Sequence, residues 1–86
     1  MTYTVVLKPH AFQALKRLPL EVRKRLQPAM DALADAPRPP GVKKLSNSQD
    51  IYRVRVEDYR IIYEIQDAVL RVLIIEVGHR REVYRR

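Results

Sequence analysis

Ile51-Tyr52-Arg53-Val54-Arg55-Val56-Glu57-Asp58-Tyr59-Arg60-Ile61-Ile62-Tyr63-Glu64-Ile65 is the stretch whose reading decides the fold. From Tyr52 to Val56 apolar and basic residues alternate, the period of a half-buried strand, so Tyr52, Val54 and Val56 face a core and Arg53 and Arg55 face away. Glu57-Asp58 is short enough for a hairpin connection, although the glycine usually favoured there is missing. The return strand places Tyr59, Ile61, Tyr63 and Ile65 inward, with Arg60 and Glu64 on the side of the two arginines. Two adjacent strands thus gather three guanidiniums on one sheet face.

Downstream, Gln66-Asp67-Ala68 turns the chain. Residues 69–77 are nearly all apolar, which predicts a central strand buried on both faces. Arg71 and Glu76 fall on opposite faces of it by parity. Upstream, residues 2–7 alternate and are rich in β-branched side chains, a first short strand. Pro9 suits the first turn of a helix, and Ala11, Phe12, Leu15 and Leu18 follow helical spacing. Leu18-Pro19 ends that helix, because the residue before proline is pushed out of the helical region. A second helix is predicted over 20–36, with Val22, Leu26, Ala29, Met30 and Leu33 as its apolar stripe. Pro28 inside it removes a backbone hydrogen bond and predicts a kink. Pro37-Arg38-Pro39-Pro40-Gly41 stops the helix, and Val42 to Leu45 continues as loop, with Lys43 and Lys44 read as solvated in preference to the RNA contact they could also make. The expected fold is α+β: an N-terminal strand, a helical hairpin, then a three-stranded antiparallel meander. The helices lie on one face of a four-stranded sheet, and residues 1–86 make one domain.

The 86 residues carry 17 Lys and Arg against 10 Asp and Glu, a net charge of +7 and a pI near 10.1. That excess suits nucleic acid or an acidic protein partner. The absence of cysteine removes disulfides, thiolate chemistry and cysteine zinc sites, and two isolated histidines do not make a metal site. No cofactor or metal is expected. No apolar run reaches the roughly 20 residues of a membrane span. Too few apolar residues precede Lys8-Pro9 for a signal peptide, so the expected setting is cytoplasmic.

The tail Gly78-His79-Arg80-Arg81-Glu82-Val83-Tyr84-Arg85-Arg86 concentrates a hinge, an imidazole, guanidiniums and a phenol. Such groups suit phosphate binding, proton transfer and stacking on bases. RNA can be cut when its own 2′-hydroxyl attacks the neighbouring phosphate. That reaction needs a proton acceptor, cations around the phosphate and a donor for the leaving oxygen.

Tyr52-Arg53-Val54-Arg55-Val56, Tyr59-Arg60-Ile61-Ile62-Tyr63, and Val77 through Tyr84 resemble the RelE toxins of the RelE/ParE superfamily. The stretch Pro37 to Leu45 fits as well, so the resemblance spans essentially the whole chain. It implies the toxin of a type II toxin–antitoxin pair, a metal-independent endoribonuclease (mRNA interferase) that cuts mRNA in the ribosomal A site. A small, acidic, partly disordered RelB-like antitoxin would silence it in a hetero-oligomer. Carried over by position, Arg60 stabilises the pentavalent phosphate, Arg80 serves the leaving group, and Tyr84 stacks on the substrate. Arg53 and Arg55 stand where well-studied members carry lysines. Because Arg stays protonated at ordinary pH, these two read as phosphate clamps, with Arg81 a further substrate contact. His79 then becomes the candidate proton acceptor and Tyr84 the second. The rivals are a ParE-like toxin acting on gyrase and an inactive toxin-fold co-repressor.

Overall fold

A computed structural model describes residues 2–46 and 49–79 of the chain. Strand β1 (Thr4–Leu7) leads into helix α1 (Pro9–Arg17), which starts on proline and carries Lys16 and Arg17 in its last turn, where they meet the negative end of the helix dipole. Leu18 is extended (φ −77°, ψ 149°), as a residue before proline must be, and Pro19 caps helix α2 (Leu20–Ala32). Helix α2 runs through Pro28 and ends four residues short of the sequence expectation. Leu33, Ala34 and Asp35 continue it as a tighter turn, each amide donating three residues back, and the Ala34 carbonyl accepts from the amide of Tyr3.

The sheet has five strands: β1, β2 (Lys43–Lys44), β3 (Ile51–Val56), β4 (Tyr59–Gln66) and β5 (Arg71–His79), in the spatial order β1-β5-β4-β3-β2. Two features go beyond the sequence reading. Lys43 and Lys44 form a short fifth strand against β3, and β1 pairs in parallel with β5 while every other pair is antiparallel. The parallel pairing arises because the helical hairpin carries the chain away from β1 and the meander returns with its last strand alongside it.

Both helices lie on one face, α1 against β5 and β1, α2 against β3. Ala11, Leu26, Met30 and Leu33 from the helical layer meet Tyr52, Ile61, Tyr63, Ile65, Val72, Ile74 and Val77 from the sheet. Tyr52 and Tyr63 stack with centroids 6.0 Å apart, and the Tyr63 hydroxyl donates to the Pro37 carbonyl at 2.7 Å. The proline-rich loop is tied down further by Arg38, which donates to the Tyr52 hydroxyl (3.2 Å) and bridges to Asp67 (2.9 Å), a carboxylate that also accepts from the Tyr3 hydroxyl.

One irregularity sets the far end of the sheet. Between Ile62 and Tyr63 the β4–β5 register shifts: Tyr63 faces Ile74, yet Ile61 faces Val77. The extra residue on β5 is a bulge, which reverses side-chain parity beyond it. Arg71 and Glu76, opposite by simple counting, therefore share a face, and Val77 is delivered to the core.

Candidate nucleic-acid interface

The face away from the helices is built from two rungs. In one, Arg55 stands directly opposite Arg60, and Arg60 opposite Gly78; in the other, Lys43 faces Arg53, Arg53 faces Ile62, and Ile62 faces Glu76. The strict alternation of β3 sends Arg53 and Arg55 to this side because Tyr52 and Val54 are needed in the core. Gly78 offers no side chain, so on β5 nothing stands level with Arg60.

Arg53 and Arg60 are buried, with 9% and 5% of their surfaces exposed, whereas Arg55 is open to solvent. Burial, and secondarily the charge of Arg55, holds the Arg53 guanidinium below the ordinary arginine range. Like charges placed directly across an antiparallel ladder destabilise it by a few tenths to about 1 kcal/mol. This face carries two such pairs, Lys43–Arg53 and Arg55–Arg60. Glu76, 7% exposed, is a buried carboxylate on the same face of β5. Sequence parity gave no sign of Glu76 here, since the bulge that brings it across is a property of two strands together.

The residues expected from the sequence divide into three groups. Arg53, Arg55 and Arg60 are brought together. His79 is not among them: the reversed parity sets it opposite Tyr59, on the helix-bearing face, with the two rings edge to face at 5.5 Å. Arg80, Arg81 and Tyr84 lie outside the described residues. Among the described residues no three His, Asp or Glu side chains gather as a metal-holding group, and no helix is long and apolar enough to cross a membrane.

Residues 5–84 match the family model of the ParE toxin of the type II toxin–antitoxin system parDE. The chain belongs to the RelE/ParE superfamily of toxins. Its fold agrees with solved RelE structures. A chain of the archaeal RelE–RelB complex from Pyrococcus horikoshii is 32% identical, with 93% of this chain and 97% of that one covered at a TM-score of 0.81. In a RelBE toxin–antitoxin complex from Mycobacterium tuberculosis the match is 26% identical over 92% and 99% of the two chains, TM-score 0.80. For the intact E. coli RelBE complex it is 25% over 90% and 95%, TM-score 0.79. Among curated proteins none matches. The superfamily's fold and its toxin–antitoxin character are thereby this chain's own, while the family model carries the ParE name and the structural relatives are RelE toxins.

Proposed function

We propose that this toxin is a ribosome-dependent mRNA endoribonuclease and that its working surface is the arginine face. The observation that carries the reading is the convergence of Arg53, Arg55 and Arg60 from two strands beside a glycine, at a cost in like-charge repulsion that an RNA phosphate would relieve. The 2′-oxygen attacks the adjacent phosphorus, the bond to the 5′-oxygen breaks, and the products are a 2′,3′-cyclic phosphate and a 5′-hydroxyl. Arg60 stabilises the charge on the pentavalent phosphorus, while Arg53 and Arg55 clamp the strand. Arg80 serves the leaving oxygen and Arg81 the substrate. His79 turns its ring to Tyr59, so the proton of the 2′-hydroxyl falls to the phenolate form of Tyr84, the second choice from sequence.

The solved relatives from P. horikoshii, E. coli and M. tuberculosis are complexes with RelB-type antitoxins. A RelB-like antitoxin, acidic enough to complement a +7 chain, is the partner proposed here. The ParE family match supports a second reading, gyrase inhibition. Purified toxin incubated in EDTA with mRNA, with and without programmed ribosomes, separates the two. Ribosome-stimulated cleavage with supercoiling intact supports the first; gyrase inhibition with intact mRNA replaces it by the second.

A further inference from the structure

The two lysines of β2 are adjacent in sequence and opposite in circumstance. Lys44 turns to the helix side, where its ammonium lies 5.9 Å from the Tyr52 ring centroid and 3.8 Å from Asp50 Oδ1. Lys43 turns to the arginine face, directly across from Arg53, is exposed, and makes no ion pair among the described residues. Among the described residues no carboxylate pairs with it. Its cross-strand neighbour is a buried arginine that already faces the charge of Arg55, and a like charge placed directly across the ladder adds to what disfavours that pairing. Lysine on an edge strand does guard against edge-to-edge pairing, but Lys44 on the same two-residue strand already supplies that.

With Lys43 included, the positive groups form a diagonal band: Arg60 on β4, Arg55 and Arg53 on β3, Lys43 on β2. Strand spacing of about 4.8 Å and a rise of about 3.4 Å per residue make this band about 12 Å long between the Cα atoms of its ends. A band of that length, crossing three neighbouring strands, suits a chain of phosphates laid along it. We propose that Lys43 is a substrate-binding residue of this toxin, contacting an RNA phosphate next along the strand from the one held by Arg60. The inference rests on the RNA-cutting reading above. Lys43 acts as a mobile point charge on a flexible stem, so it tolerates different strand paths and strengthens binding without entering the chemical step.

The test uses programmed ribosomes carrying mRNAs in which single phosphates around the cut site are replaced one at a time by neutral methylphosphonates. In the wild type, one non-scissile replacement raises KM. Lys43→Ala raises KM about three- to tenfold with kcat nearly unchanged, loses sensitivity to that one replacement, and keeps its sensitivity to all the others. Lys43→Arg restores the sensitivity. The melting temperature of Lys43→Ala equals or exceeds that of the wild type, because a repulsion has been removed. A wild type that cuts while Lys43→Ala keeps the same KM, or remains sensitive to every replacement, overturns the inference and leaves the RNA-cutting reading standing. A wild type that does not cut overturns both.

Discussion

Arg38 and Arg53 lie on opposite sides of one sheet, and their protons are held in opposite ways. On the helix side Arg38 meets the Asp67 carboxylate and the Tyr52 hydroxyl, which raise its already high affinity for a proton. On the other side burial and Arg55 lower that of Arg53. The helix side is internally compensated: the Tyr52–Tyr63 stack, the Tyr63–Pro37 bond and the Arg38–Asp67–Tyr3 group fasten the proline-rich loop over the sheet. The arginine side sets like charges directly across the ladder, Lys43 against Arg53 and Arg55 against Arg60, with the buried Glu76 carboxylate on the same face. Charge matched inside the protein is structural; charge concentrated against its own repulsion is better explained by a ligand.

Truncating the helix side should cost stability. Leu26, wholly buried between α2 and the sheet, should lose about 2–5 kcal/mol on replacement by Ala, seen as a lower urea midpoint. A cost well below this range would mean that the core is not set by α2.

Tyr63→Phe should cost about 0.5–1.5 kcal/mol, since the Pro37 carbonyl loses its donor. Its pH profile sharpens the point. Burial pushes the Tyr63 phenol up to about 12, above its unfolded value. Its contribution is therefore complete below pH of about 10 and is lost as pH rises from about 10 to about 12, the window in which the Phe variant should show a shallower loss of stability. Asp67 behaves in the opposite sense. Hydrogen bonds from Arg38 and then Tyr3 hold its carboxyl below the usual range, so its contribution is present above the unfolded value and lost as pH falls through the folded one. Asp67→Asn should remove that acid-side loss in a chemical denaturation series.

The smallest effect belongs to the hairpin. Glu57 occupies the left-handed region (φ 56°), where Gly is free of strain, and its bridge to Arg25 at 3.2 Å is exposed on both sides. Glu57→Gly should raise stability by a few tenths of a kcal/mol, because relief of strain slightly exceeds the lost pair and the added chain entropy.

Strands β3 and β4 were legible because alternation is a local property, and with it came the grouping of Arg53, Arg55 and Arg60. What the sequence hid belongs to pairs of strands. Lys43 and Lys44 are too few to display a period, so their strand exists only through its ladder with β3. The alternation of β1 says nothing of its parallel partner. The β5 bulge adds one residue without any glycine or proline to mark it, and it alone moves Glu76 onto the arginine face and His79 off it. Counting by twos from Arg71 would have put His79 beside the arginines.

Cleavage of mRNA on programmed ribosomes in EDTA, comparing wild type, Arg60→Ala and Arg25→Ala, tests the assignment of the working face most directly. Arg60→Ala should cut at least about 100-fold more slowly while keeping its fold, as expected for loss of a transition-state contact, and Arg25→Ala, altered on the exposed surface of α2, should cut like the wild type. Equal cleavage by wild type and Arg60→Ala, or none by the wild type, would contradict the account.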